Sequence, residues 1–389
     1  MDIYLHCVQN IEKNEQMEIF QFDRLTPYNS LPKLPPNKDI ENNPKILKKM
    51  VTASRALASV DGNINRLPNP LMLVNTLALQ EAKTSTEIEN IFTTEDELYK
   101  AISNSYDESK VNPAIKEVLK YREALWTGFQ KLKDSKRIDD TLFKEIFNQI
   151  KETNSGYRPP QAQVVIRRGE SEFRSGEIIY TPPRRDGLVE SLMDNLIEYL
   201  NNDELFPADP LLKMCIAHYQ FEAIHPFQDG NGRTGRIMNL LYLVSKGLLN
   251  QPVLYLSKYI IVNKEDYYYK LSAVTQRNEW ESWICFMLEA TEKTSLLTNR
   301  KIIEIVSQMD ATLDYARKRI KWYSKEVNEA IFSQPYIKPK VIGDLMGKTS
   351  RTTLTKYMGE LVDNKILRPM KDGVDMYYIN DDLLRILEG

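Results

Sequence analysis

The chain has 389 residues, about two and a half domains at roughly 150 residues each, and its 42% hydrophobic and 27% charged composition suits a globular protein with a sizeable core. Lys+Arg 52 against Asp+Glu 54 leaves a net charge of −2, which argues against bulk polyanion binding and confines any nucleic-acid contact to a local patch. No stretch offers the roughly 18 uncharged apolar residues of a membrane span, and the opening MDIYLHCVQN lacks the form of a secretory signal. The three cysteines, Cys7, Cys215 and Cys285, lie too far apart for a disulfide framework, so a cytoplasmic protein with no membrane association is expected.

Residues 1–45 lack strong periodicity, and residues 31–37 (LPKLPPN) form a proline-rich, extended lead-in. From Pro44 to about Asp140 the pattern is mostly helical. Ile46, Met50, Ala53 and Leu57, for example, make a one-sided apolar stripe over residues 45–59. Between Ser155 and Pro183 the character changes. Val164-Val165-Ile166 and Ile178-Ile179-Tyr180 are short β-branched or aromatic runs separated by Gly and charge, which predicts a hairpin. Helical spacing resumes at Leu188 with Leu192, Leu196 and Leu200. Residues 211–224 and 236–249 read as interior helices, apolar nearly all round, the second stopping near Gly247.

From Ile302 to Ile331 apolar residues recur in steps of four and three, which predicts one long helix with a 3.5-residue seam. Dimerisation and packing onto its own protein are both open to such a seam. Beyond Pro335 a short helix (341–346), a turn at 347–349, a second helix (350–364) and strand-like runs at 366–368 and 376–379 outline a winged helix.

Only three histidines occur, and His218 and His225 fall within eight residues of each other beside the most glycine-dense stretch. That stretch is His225-Pro226-Phe227-Gln228-Asp229-Gly230-Asn231-Gly232-Arg233-Thr234-Gly235-Arg236. Three Gly and an Asn in six residues let the backbone gather its N–H groups into one concavity. A helix following at once would aim its positive end at the same place. This pattern describes a phosphate cradle. Arg233 and Arg236, three apart, can both grip phosphate oxygens. Asp229 offers one carboxylate, suitable for Mg²⁺ held largely by substrate phosphates. His225 can serve as a general base near neutral pH. A dinucleotide fingerprint needs a strand before the glycines, and here a helix precedes them. The Walker pattern lacks its closing Gly-Lys-Ser/Thr, and a seven-residue His spacing does not make a zinc site.

These twelve residues resemble the signature of the Fic family, His-x-Phe-x-Asp/Glu-Gly-Asn-Gly-Arg-x-x-Arg, with every fixed position met. The flanking AHYQFEAIHPF and PVLYLSKYI, the Tyr run at 267–269 and the LPPN lead-in agree, so the likeness covers most of residues 28–389. The resemblance implies a mainly α fold: a Fic-type helical bundle with a β-hairpin flap, plus a C-terminal winged-helix domain. It implies transfer of AMP from ATP to a Ser, Thr or Tyr hydroxyl of a protein target, with self-modification expected. On that reading His225 is the catalytic base, Asp229 holds Mg²⁺, and the amides around Gly230–Gly232 with Asn231 stabilise the α-phosphate. Arg233 would take the β-phosphate and Arg236 the γ-phosphate, with Thr234 and Gly235 completing the nucleotide-binding stretch and Phe227 as a buried anchor. Kinase-like relatives carry Lys where this chain has Gly232, which disfavours that branch.

Ser85-Thr86-Glu87-Ile88-Glu89-Asn90 resembles the family's inhibitory helix. The likeness implies that Glu89 pairs with Arg236 and takes the cation meant for the γ-phosphate, with Ser85 and Asn90 fixing the helix. Val164, Val165, Ile166 and Arg167 match a target-binding flap, although many relatives have Gly-Gly where Arg167-Arg168 stands. Tyr267 matches an adenine-side tyrosine. The expected organisation is an N-terminal helical region (1–110), a catalytic core (111–295), a long connecting helix (296–334) and a winged helix (335–389). Two alternatives remain open at this point: a hydrolase removing AMP at the same site, and a DNA-binding transcription regulator with a vestigial core. The last would use Arg351, Thr352, Thr353 and Lys356 as groove contacts.

Overall fold

A computed structural model describes residues 22–36, 40–64, 70–103, 112–168, 176–347 and 350–389. Asn37 of the lead-in, residues 169–175 between the two strand-like runs and residues 348–349 of the expected turn lie outside the described residues.

Helix α1 (Pro44–Ile64) begins after Asn43, whose side-chain oxygen accepts from the Lys45 amide at 2.9 Å. Of the stripe read from the sequence it buries Ile46, Ala53 and Leu57 and leaves Met50 half-buried, and it buries Val60 as well. Helix α2 (Pro70–Ile88) ends where Asn90 turns left-handed at φ 63°. Helix α3 (Glu95–Ser103) opens with a reciprocal Thr94–Glu97 capping box. Helices α4 (Pro113–Ser135) and α5 (Asp140–Lys151) are capped by Asn112 and Asp139 and pack on each other. Strands β1 (Ile166–Arg168) and β2 (Glu177–Tyr180) form an antiparallel hairpin, with Ile166 opposite Tyr180 and a bulge before Arg167. The first strand thus starts two residues later than the β-branched run suggests, and Val164 and Val165 are irregular.

Helix α6 (Leu188–Asn201) leads to the interior pair that positions the site. Helix α7 (Pro210–Ile224) is buried at every residue from Leu211 to Ile224, and α8 (Asn231–Ser245) packs against it. Helices α9 (Leu256–Val262) and α10 (Lys264–Arg277) close the bundle. Helix α11 (Trp280–Arg317) lies beside α1, tied by Lys45–Glu281 at 2.6 Å, Lys49–Glu289 at 3.0 Å and an Asn63–Asn299 amide bond at 2.7 Å.

The seam from Ile302 to Ile331 is not one helix. Helix α11 starts earlier, at Trp280, and stops at Arg317. Ser324 then caps a separate α12 (Lys325–Ile331). The apolar spacing persists because Ile320 and Tyr323, in the intervening turn, also point into the core. Ile302, Met309, Ala316, Val327 and Ile331 are all buried by the chain itself, Val306 and Leu313 are half-buried, and residues 296–334 hold the end of one helix, a turn and a second helix in place of one long connecting helix. In the C-terminal domain β3 (Tyr336–Ile337), β5 (Asp375–Ile379) and β4 (Arg368–Asp372) form a sheet in the order β3-β5-β4. Helices α13 (Pro339–Met346) and α14 (Arg351–Asp363) precede the hairpin, and a final helix α15 (Asp381–Glu388) was not expected. Among the described residues no helix is long and apolar enough to cross a membrane.

Candidate active site

Helix α7 ends at His225, which takes φ 50° as its C-cap, and α8 begins at Asn231 after Gly230 at φ 74°. The six residues between them form a tight bend, and two side chains fix its shape. Asn231 accepts from the Phe227 amide and donates to the Phe227 carbonyl, both at 2.9 Å, so its amide group is spent inside the loop and not on a phosphate. Phe227 is fully buried and stacks on Phe147 with ring centroids 4.0 Å apart. The bend opens on a cleft of about 530 Å³, within the size range of small-molecule sites. His225, Asp229, Gly232 and Arg236 line it, with Glu89 and Asn90 from the end of α2 and Tyr267 and Tyr268 from α10. Val164, Val165, Ile166 and Arg167 from the hairpin complete one wall.

His225 is half-buried, and burial together with the Arg158 guanidinium pushes its imidazole down to about 4. Its Nδ1 lies 3.3 Å from the Glu222 carbonyl, which assigns that nitrogen the proton and leaves Nε2 with the lone pair. A neutral imidazole in this tautomer is a proton acceptor. The backbone around it is knit by Arg158, a buried residue the sequence reading missed. Its side chain donates to the carbonyls of His225 at 2.7 Å, Ile224 at 3.1 Å and Pro183 at 2.5 Å.

The two arginines have different settings. Arg236 is 1% exposed and donates from Nη2 to Glu89 Oε1 at 2.6 Å and to the Ser85 carbonyl at 2.9 Å. Its Nε donates to Ser85 Oγ at 2.7 Å. The Glu89 contact is therefore a single bond, and Ser85 holds the arginine itself in addition to belonging to the helix. Burial works against the Arg236 cation, but the Glu89 carboxylate more than offsets it and the net direction is upward. Gly232 is required by this pair: a methyl group there would collide with Glu89 Oε1 and stand 2.9 Å from Arg236 Nη1. Arg233 is 2% exposed, lies outside the cleft lining and is ion-paired with Glu117 of α4. Thr234 is fully buried, and Gly235 faces Phe221 and Glu222 on α7. These two positions serve helix packing, the small residue at 235 permitting close approach.

Asp229 is the exposed carboxylate at the lip. Its Oδ1 accepts from the Gly230 amide at 2.6 Å and its Oδ2 from Lys151 Nζ at 2.7 Å. Burial opposes ionisation, but Lys151 brings the net shift below the ordinary carboxylate range. Among the described residues no cluster of three or more His, Cys, Asp or Glu could hold a metal alone. A single exposed carboxylate fits Mg²⁺ whose other ligands are phosphate and water oxygens. Tyr267 is 2% exposed, and its hydroxyl bonds His218 Nε2 at 2.9 Å, so it is a cleft-floor residue with its polar end committed. Glu117, Lys151 and Lys264 also escaped the sequence reading. Each lies on a helix face whose partner comes from far along the chain, and periodicity carries no trace of that.

Three family models match the chain in succession: the Fic/DOC family N-terminal region at residues 47–130, the Fic/DOC family at 129–243, and the C-terminal domain of SoFic-like protein adenylyltransferases at 308–383. The chain belongs to the Fic/DOC family. A probable protein adenylyltransferase of Aquifex aeolicus is 31% identical over 178 residues, 45% of this Fic chain and 44% of the relative. A protein adenylyltransferase of Aedes aegypti is 30% identical over 128 residues, 32% and 24% of the two chains. The match thus spans less than half the length of these curated relatives. In solved structures the fold resembles a Fic family protein from Desulfovibrio desulfuricans, with TM-score 0.55, 21% identity and coverage of 87% of this chain and 96% of that one. It also resembles a Fic-domain signalling protein from Bacteroides thetaiotaomicron, with TM-score 0.51, 16% identity, and 64% and 97% coverage.

Proposed function

We propose that this Fic protein transfers AMP from ATP to a hydroxyl side chain of a protein, itself included, and that Glu89 restrains the reaction. One observation carries the reading: a neutral imidazole, the amino end of α8 and the Arg236 guanidinium meet in one cleft, with a carboxylate already on that guanidinium. The relatives named protein adenylyltransferase supply the reaction class and, with it, ATP as donor.

The triphosphate lies along the bend with its terminal phosphate on Arg236, which requires Glu89 to leave. Free amides at the start of α8 face the charge that develops on the α-phosphate. The target hydroxyl oxygen attacks the α-phosphorus, its proton passes to His225 Nε2, and the bond from that phosphorus to the bridging oxygen of the β-phosphate breaks, releasing pyrophosphate. Arg233, held by Glu117, steadies the lip behind Asp229, 4.0 Å from that carboxylate. When bound at Asp229, Mg²⁺ would neutralise phosphate charge. The hairpin edge, unpaired among the described residues and lining the same cleft as His225, is where a target segment adds as a strand.

The test is incorporation of label from α-labelled ATP. Glu89→Gly should raise self-modification at least about tenfold, the effect of freeing one charge-assisted contact. His225→Ala should abolish it while leaving the circular dichroism spectrum unchanged. No gain for Glu89→Gly would remove the restraint, and undiminished labelling of Glu89→Gly/His225→Ala would remove the mechanism.

A further inference from the structure

The carboxyl end of α2 is held by a side chain that the transfer reaction does not use. Lys264 Nζ donates to the Ile88 carbonyl at 2.6 Å and to Asn90 Oδ1 at 3.1 Å, so it bonds the residues on either side of Glu89. It also lines the cleft. Its placement is unfavourable on local grounds. Lys264 is the first residue of α10, where the helix dipole disfavours a cation. Burial lowers its pKa, an effect that Arg236 adds to and Glu89 opposes. A cation kept against both influences is there for its partners, and those partners belong to one turn, Ile88–Asn90.

We propose that Lys264 is the positioning residue that keeps Glu89 seated on Arg236, a role that rests on reading Glu89 as the restraint. The backbone closes the turn as a Schellman cap, the amides of Glu89, Asn90 and Ile91 reaching back to Thr86 and Glu87 at 3.0–3.2 Å with Asn90 left-handed, which uses the carbonyls of Thr86 and Glu87 but not that of Ile88. The Ile88 carbonyl is one of the orphan acceptors at a helix end, and Lys264 satisfies it with charge. The body of α2 is fastened elsewhere. Glu81 accepts from the Ser257 amide at 2.9 Å and from its hydroxyl at 2.5 Å, and Thr84 bonds Tyr255 at 2.7 Å. Loss of Lys264 therefore frees the last turn without undocking the helix. Glu89 sits between two cations, one that it neutralises and one that holds its backbone.

The test compares full-length wild type, Lys264→Met, Lys264→Arg, Glu89→Gly and Glu89→Gly/Lys264→Met by hydrogen–deuterium exchange and by label incorporation from α-labelled ATP. Lys264→Met should speed amide exchange at residues 89–91, leave exchange in the middle of α2 unchanged, and raise self-modification by roughly tenfold, the scale of one charged hydrogen bond. Lys264→Arg keeps a donor on the same carbonyl and should hold both readouts near wild type. In the Glu89→Gly background the Lys264→Met change should bring no further gain, whereas a merely destabilising substitution would lower activity in both backgrounds. Unchanged exchange at residues 89–91 overturns the proposal, as does Lys264→Met at wild-type activity beside an activated Glu89→Gly. If Glu89→Gly itself shows no gain, the restraint reading fails, and the exchange data still decide whether Lys264 fastens the turn.

Discussion

His225 shows how burial keeps an imidazole neutral. Its ordinary value of 6.5 falls to about 4 because the folded chain withdraws water from the ring and sets Arg158 nearby. The folded state therefore protonates after the unfolded chain does. Its contribution to stability is complete above about 6.5 and is lost as pH falls toward 4. The same shift keeps the ring a competent acceptor in mild acid. In the Glu89→Gly variant, which lacks a carboxylate that raises the ring's value, the acid limb of the kcat profile is expected at about 4 or below, and a limb near 6.5 would mean that the ring is solvated. Ser85 gives a second prediction. Its hydroxyl is the acceptor for the Nε of a guanidinium that is 1% exposed. Ser85→Ala should cost roughly 1–3 kcal/mol in urea unfolding, because that buried donor loses its acceptor.

The interior helices set the accuracy of the site, and the approach of α4 to α8 depends on one small residue. Gly128 of α4 faces α8, and a Cβ there would stand 2.5 Å from Leu241 Cδ1 and 3.3 Å from Ile146 Cδ1. Leu241 is fully buried and shares α8 with Arg233 and Arg236. Gly128→Ala should therefore destabilise by about 1–3 kcal/mol, less a fraction returned by better helix propensity, in thermal or urea melts. The bend and the two interior helices were legible in the sequence because glycine spacing and all-round apolarity are local properties. Glu117 on Arg233 and Lys151 on Asp229 were not, since each joins residues 116 and 78 positions apart. The break at Arg317 was hidden for a different reason. Apolar spacing reports which face is buried, and the turn at Ile320 and Tyr323 continues that face without continuing the helix.

At the scale of the whole molecule the C-terminal domain is fastened to the helix that carries Glu89. Gln80 of α2 donates to the Leu387 carbonyl at 2.9 Å, and Thr76, one turn earlier, donates to the Ser333 carbonyl at 2.9 Å. Lys301 of α11 is 3% exposed and donates to the carbonyls of Ile386 at 3.0 Å and Leu387 at 2.5 Å. It thereby caps the end of α15 with a charge placed where the helix dipole favours one. Burial lowers its pKa, so the ammonium depends on those two carbonyls for solvation. Within the domain Arg368 pairs with Asp381 at 2.7 Å and Lys338 with Asp375 at 2.8 Å, while Arg351 and Lys356 of α14 are exposed. These contacts dock the domain onto α2 and α11. Replacing Lys301 by Met removes the cation and strands both carbonyls, at a cost of about 1–3 kcal/mol. The loss should show in hydrogen exchange as faster opening of α15 together with residues 76–80. If α15 loosened alone, the domain would be docked through α11 and would not reach α2.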